Sequence, residues 1–260
     1  MGINPPLLGD PAKVLAVTLG CRPEEVAEDV VVTPFMPLKA FLRHMEAETV
    51  RELNPRFFFK GFTASFGGRP VTAVLTGVGP SRVGDLVSIL SLTPARRVLF
   101  AGAVGGLNPE WSLGDFFIPT RAADGEGYTR YTGNDFAKVI ASAPSVPCST
   151  PMGTALESLL KGKNLPTRTG RVFTIGSIAF ESRENLEALA RAGFDALEME
   201  LSAFFSAAAH HGLAAAALTY ISDLPLKSSL WQEKSPPEQE TLGRAWRLLP
   251  RLCLEALASC

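Results

Sequence analysis

Histidine is scarce in this 260-residue chain, with only His44, His210 and His211. A histidine-based metal centre or a Ser-His-Asp triad is therefore not expected. Cysteine is nearly as sparse: Cys21, Cys148, Cys253 and Cys260 form no CxxC pair and no metal-like spacing, and a chain this long needs no disulfide framework. Charge of one sign is missing too, since 25 Lys+Arg oppose 26 Asp+Glu for a formal net charge of -1. Arg96-Arg97 is the densest basic pair, which excludes nucleic acid as the expected partner, because phosphate binding needs clustered cations. No uninterrupted apolar run reaches the ~20 residues of a spanning helix; the nearest, 201–221, carries His210-His211 in its middle. The N-terminal Met1-Gly2-Ile3-Asn4-Pro5-Pro6 lacks the basic and apolar regions of a signal peptide. Pro6 also stands where a myristoylation motif wants Ser or Thr. A soluble, cytoplasmic protein with no membrane partner is the expectation.

Several chemical motifs are likewise missing. Gly77 and Gly79 supply G-x-G, but Arg82 occupies the place of the third glycine of a dinucleotide fingerprint, and Gly102, Gly105 and Gly106 do not fit it. No Walker lysine follows either loop, and nucleophile-elbow, zincin and EF-hand patterns do not occur. Neither a metal nor an organic cofactor is expected.

What is present is a chain 46% apolar and 20% charged, enough to build a sizeable core. Short apolar runs alternate with helical patterns. Runs at 14–19, 71–75, 97–101, 115–119, 171–175 and 214–221 read as strands. Helices are expected from Pro23, through Leu86, Ile89 and Leu92, over 183–192, over 203–211 with a stop at Gly212, and over 241–258 with an interruption at Pro250. The stretches 102–106, 122–134 and 224–241 read as loops. Strands alternating with helices imply an α/β domain with a largely parallel sheet. No linker separates two cores, so one domain over 1–260 is expected.

In open α/β sheets ligands bind beyond the carboxyl ends of strands, which directs attention to Gly20/Glu25, Thr76 to Ser81, Gly102 to Gly106, and Ser222-Asp223. Tight turning alone accounts for such glycines taken singly. The carboxylates are more pointed. Glu198-Met199-Glu200 places two acids just before a strongly apolar helix, and Asp223 ends a fully apolar strand. Such acids are costly to bury unless paired or used; a helix N-terminal acid and a cap are the structural alternatives.

The ordered set of motifs resembles a known family. Gly20-Cys21-Arg22-Pro23-Glu24-Glu25-Val26 is similar to the opening of methylthioadenosine/adenosylhomocysteine nucleosidases. Thr76-Gly77-Val78-Gly79, and Phe100 through Leu107 followed by Leu113-Gly114-Asp115, resemble that family's two glycine loops. Leu197-Glu198-Met199-Glu200 and Ile221-Ser222-Asp223, at the interval found there, resemble the ribose- and base-binding motifs of the nucleoside phosphorylase/nucleosidase superfamily. The likeness runs from about 14 to 225.

The resemblance implies a single three-layer α/β/α domain with a mixed, barrel-like sheet, assembled as a homo-oligomer, that cleaves the N-glycosidic bond of a purine nucleoside. By analogy Glu200 accepts ribose hydroxyls beside Glu198, Met199 packs under the sugar, and Asp223, flanked by Ser222, protonates purine N7. Thr76, Gly77, Gly102 and Ala103 belong to the glycine loops, and Ile178 and Phe180 lie near the base. In nucleosidases a glutamate on the first helix activates water, and Glu25 matches it. The bacterial hexameric phosphorylases hold phosphate with two arginines and a serine, where this chain has Glu24, Phe100 and Ala103. Hydrolysis is the expected reaction on that ground. Phosphorolysis, with phosphate held by Thr76, Ser81, Arg82 or Arg56 of the partner subunit, is the alternative, and a catalytically reduced nucleoside-binding protein is a second. Thr219 stands where nucleosidases carry an arginine. Lys227 resembles a phosphate-recognising position of AMP nucleosidase, although a solvated loop lysine is the favoured explanation.

Overall fold

The computed structural model of the protein describes residues 10–53, 58–132 and 135–259. Met1 to Pro6, Arg56, Cys260 and the end of the 122–134 loop lie outside the described residues. In chain order the elements are α1 (Pro11–Thr18), β1 (Asp29–Thr33), α2 (Lys39–Leu42), β2 (Glu46–Leu53), β3 (Lys60–Phe66), β4 (Arg69–Leu75), α3 (Pro80–Leu90), β5 (Arg97–Gly106), β6 (Phe116–Gly125) and α4 (Tyr128–Tyr131). There follow α5 (Phe136–Ala141), β7 (Ser145–Pro147), α6 (Thr150–Gly162), β8 (Thr167–Ile175), α7 (Arg183–Arg191), β9 (Ala196–Glu198), α8 (Leu201–His211), β10 (Ala214–Asp223) and α9 (Pro236–Ser259).

The beginning of the chain departs from expectation. Residues 14–19, read as the first strand, are helical. The Asp10 carboxylate accepts the Ala12 N–H at 3.0 Å and Pro11 sits in the first turn, a start signal that outweighs a short apolar run of ambiguous period. The helix expected from Pro23 is a single 3-10 turn, Pro23–Glu25, after which Val26 is extended. The true first strand is β1, whose three consecutive valines suit a strand buried on both faces. Glu25 therefore precedes the first strand instead of following it.

Later differences are smaller. Residues 102–106, expected as a loop, continue β5. Part of the 122–134 loop is the end of β6 followed by α4, and α9 begins at Pro236 and runs through Pro250 as one helix. The helix expected over 183–192 is α7, ended at Gly193. That expected over 203–211 is α8, ended by Gly212 in the left-handed conformation at φ 72°, which glycine adopts without Cβ penalty.

The sheet is mixed and barrel-like, as the resemblance implies, and not largely parallel as the alternation of elements alone suggests. β1 pairs in parallel with β4 and β5, β10 with β5, β6 with β8 and β8 with β9, whereas β2/β3, β3/β4, β5/β9, β6/β7 and β6/β10 are antiparallel. β5 is the hub. Its first half lies between β1 and β10, and its last residues exchange β1 for β9, with Gly105 opposite Leu197. Strands β5, β10, β6, β8 and β9 thereby close into a barrel, from which β1, β4, β3 and β2 extend as an open wing. Alternation along β5 feeds two cores: Val98 and Phe100 meet Leu15, Leu86 and Phe204, while Leu99 and Ala101 meet Phe41, Leu156 and Leu249 on the other face. Helices thus cover both faces of the sheet, the three-layer arrangement. Among the described residues no helix is long and apolar enough to cross a membrane.

Candidate active site

The site forms where β5 changes neighbours. A change of strand partner opens a crevice beyond the strand ends, as at the switch points of open α/β sheets. A cavity of about 200 Å³ lies there, floored by Ala103, Val104 and Gly105 of β5. Val78 reaches it from the loop after β4, and Ile178 and Glu181 from the turn after β8. Glu198, Met199 and Glu200 come from the end of β9, and Ser222 and Asp223 from the end of β10. Seven residues singled out in the sequence therefore converge: Ala103, Ile178, Glu198, Met199, Glu200, Ser222 and Asp223.

The carboxylates differ in what holds them. Glu198 Oε2 accepts the N–H groups of Glu200 and Leu201, both at 2.6 Å, and Oε1 accepts the Thr174 hydroxyl, which in turn receives the Ser202 N–H at 2.9 Å. These bonds satisfy the unpaired donors that open α8, so Glu198 is a helix-start acid as well as a cavity wall. Glu200 Oε1 accepts the Gly79 N–H at 2.7 Å, tying the loop after β4 to the end of β9. Gly79 has φ 120°, a conformation that glycine alone adopts freely. Burial pushes both glutamates above the usual carboxylate range, Glu198 further because Glu200 stands beside it.

Asp223 is buried at the end of β10, and the Ser222 hydroxyl lies 2.9 Å from its Oδ1. Burial raises its pKa, against the opposing pull of the Ser222 hydroxyl and the Lys234 ammonium. Glu181 was not anticipated. Burial and the charge of Asp223 push it up to about 7. No local pattern marks Glu181; the junction of the β8 and β10 ends makes it a cavity acid.

Other expected site residues lie elsewhere. Glu25 is at the amino-terminal edge of the parallel strands, since Asp29, Val71, Arg97 and Ala214 are level with one another there. Its carboxylate accepts the Arg22 N–H at 2.9 Å and pairs with Arg22 at 2.7 Å and Arg51 at 2.5 Å. These partners hold it below the usual carboxylate range. It does not line the cavity, and a paired, weakly basic carboxylate is ill suited to water activation. Thr76 points its hydroxyl back at Thr33 O and Gly77 O, and Gly77 backs onto the Arg82 side chain; of this loop it is Val78 that enters the cavity. Arg82 donates to Thr76 O and lies over the Phe59 ring. Gly102 is required by packing, for a Cβ there would stand 2.5 Å from the Phe100 ring. Phe180 lies behind the wall, stacked on Tyr131 at 4.6 Å. The Thr219 hydroxyl donates to Phe117 O in the core, and Lys227 reaches Pro109 O beside a separate depression. The expected first-helix position also shifts, because the helix after β1 is α2, which begins with Lys39. Among the described residues no cluster of three His, Cys, Asp or Glu is arranged to hold a metal.

Comparison with known proteins identifies the fold and the family. Residues 29–257 match the family model described as the phosphorylase superfamily, and the match opens at β1, leaving Glu25 outside it. A DeoD-type purine nucleoside phosphorylase from Myxococcus xanthus is 30% identical over 218 residues, covering 82% of this chain and 86% of that protein. A uridine phosphorylase from Vibrio fischeri superposes with a TM-score of 0.76 at 20% identity, covering 91% of this chain and 93% of that one. A methylthioadenosine/S-adenosylhomocysteine nucleosidase from Campylobacter jejuni gives 0.72 at 14% identity, covering 88% and 98%.

Proposed function

Because the chain belongs to the phosphorylase superfamily, we propose that it cleaves the N-glycosidic bond of a purine nucleoside, with Asp223 as the acid for the departing base. The observation that carries this is the pairing, in one cavity, of a buried acid at the end of β10 with Glu200 at the end of β9. Burial raises the Asp223 pKa above its ordinary value and so favours its protonated form, and a positioned acid contributes roughly 10²–10⁴ in rate. Asp223 gives its proton to N7 as the C1′–N9 bond breaks, and the bonding electrons leave with the base. The sugar gains oxocarbenium character, with Glu200 accepting its hydroxyls and Met199 lying against its face. Water adds to C1′ and its surplus proton restores Asp223, giving free base and ribose.

Water is the favoured acceptor on charge grounds. Four carboxyl groups and, among the described residues, no lysine or arginine line the cavity, whereas a phosphate dianion is held by cations and charge-assisted hydrogen bonds. Glu25 has no part in this reading. Phosphorolysis remains the second reading, favoured by the name of the Myxococcus xanthus relative and by Lys39 at the start of α2. A product assay on adenosine, inosine, methylthioadenosine, AMP and futalosine, with and without phosphate, decides. Free base and a reducing sugar without phosphate support hydrolysis; a sugar 1-phosphate formed only with phosphate supports the second reading; no cleavage of any overturns both. Exposed Phe35, Val78, Leu230 and Trp231 support assembly as a homo-oligomer, which light scattering tests.

A further inference from the structure

We propose that Glu181 is a specificity-determining residue, which together with Asp223 selects a 6-aminopurine over a 6-oxopurine. The proposal rests on the reading of Asp223 as the acid for a purine base. The backbone around Glu181 is fixed on both sides. Its own N–H donates to Ile178 O at 3.2 Å, Asn185 Nδ2 donates to Phe180 O at 2.9 Å, and the Ser182 hydroxyl accepts the Asn185 N–H at the start of α7. The side chain, by contrast, makes no hydrogen bond or ion pair with any described residue. Glu198, Glu200 and Asp223 each have a protein hydrogen-bond partner, so Glu181 alone presents an unengaged carboxyl to the cavity. Half-buried and without a partner among the described residues, this carboxyl faces the cavity with its hydrogen-bonding capacity free for a ligand.

Two carboxyls facing one cavity give up their protons one at a time, since each charge opposes the other. The Lys234 ammonium, which acts on Asp223, is held by Ser228 and Ser229 outside the cavity lining. Glu198 and Glu200 bring no cation to the pair. With one proton between them, Asp223 and Glu181 offer one donor and one acceptor. The N7 edge of a 6-aminopurine offers the complement, an N7 acceptor beside an N6–H donor; a 6-oxopurine offers two acceptors, N7 and O6. The first satisfies both carboxyls, whereas the second leaves whichever carboxyl lacks the proton facing a like-signed acceptor, a mismatch of the size that separates bases by roughly tenfold or more.

The test compares adenosine with inosine, each with and without phosphate, in wild type, E181Q and E181A. Wild type is expected to favour adenosine in kcat/KM by at least about tenfold. E181Q, whose amide both donates and accepts, is expected to bring the ratio close to one, and E181A to lower adenosine cleavage without raising that of inosine. A merely structural Glu181 would slow both substrates alike and leave the ratio in place, which overturns the proposal. Cleavage of both nucleosides by wild type without preference for adenosine overturns it as well, while the parent reading survives. Calorimetric titration with adenine and hypoxanthine reads the same ratio where turnover is too slow. If neither nucleoside is cleaved and neither base binds, the parent reading fails and the proposal falls with it.

Discussion

Acids stand at both ends of the same parallel strands, and their surroundings sort them into two chemical kinds. At the amino-terminal edge Asp29 receives both Nε and Nη2 of Arg97, at 2.6 and 2.7 Å, and Glu25 is gripped by Arg22 and Arg51. At the carboxyl-terminal edge Asp223, Glu200 and Glu181 have hydroxyl, amide or no partners in place of arginine. Pairing holds Glu25 below the usual carboxylate range, and burial raises the other three, Asp223 against the opposing pull of the Lys234 ammonium. An ion-paired acid is spent on the fold. An acid kept protonated by burial can give that proton to a ligand.

The largest expected effect lies at the unpaired end. Asp223→Asn keeps the shape and the Ser222 contact but removes the proton, so turnover is expected to fall by roughly 10²–10⁴ while circular dichroism stays native. Wild-type-like turnover in D223N would break the comparison at its root. At the paired end the penalty moves from activity to stability. Arg97→Met strands a buried Asp29, and stranding one member of a buried pair costs about 3–5 kcal/mol, somewhat less here because Arg97 reaches solvent. Urea unfolding measures it, and an unfolding free energy unchanged in R97M would refute the pairing as a source of stability.

Glu25→Gln sharpens the contrast because it tests the two ends against each other. Its arginine partners are mostly exposed, so the loss is expected to be about 1 kcal/mol or less, with turnover within about twofold of wild type. A large loss of turnover in E25Q would return Glu25 to the chemistry and contradict its placement across the sheet.

The contrast also explains what was legible in the sequence. Glu198-Met199-Glu200 and Asp223 stood out because each interrupts an apolar segment, where a charge is conspicuous. The alternation of elements and the helix stop at Gly212 were equally plain. The first strand was not: residues 14–19 are as apolar as β1, and only the Asp10-Pro11 start signal distinguishes a helix from a strand of that length. That error carried Glu25 to the wrong end of the sheet, since a motif matched on spacing inherits the strand it is hung on. The wing strand β2, Glu46–Leu53, is mostly exposed and polar, so it carries little alternation to read. Glu181 follows an unremarkable turn, and its character arises only because the ends of β8 and β10 face one cavity.

The smallest expected effect is a slope. Glu181 titrates near 7 in the folded protein, against an ordinary glutamate value of 4.5, so the folded state binds more protons than the unfolded state between those values. Stability therefore falls as pH rises through that interval and levels off above it. Replacing Glu181 by Gln removes this contribution, so the melting temperature of E181Q is expected to gain on that of wild type from pH 5 to pH 7.5. Partial exposure screens the effect, which keeps it to a few degrees or less. Glu25→Gln has the opposite sign, because a carboxylate held low by arginine stabilises the fold above its unfolded pKa and loses that benefit only as pH falls. Melting curves of the two variants over one series carried down to about pH 3 thus separate the two ends of the sheet, the Glu25 effect falling at and below its unfolded value and the Glu181 effect above it, and slopes of the same sign would mean that the acids do not differ in kind.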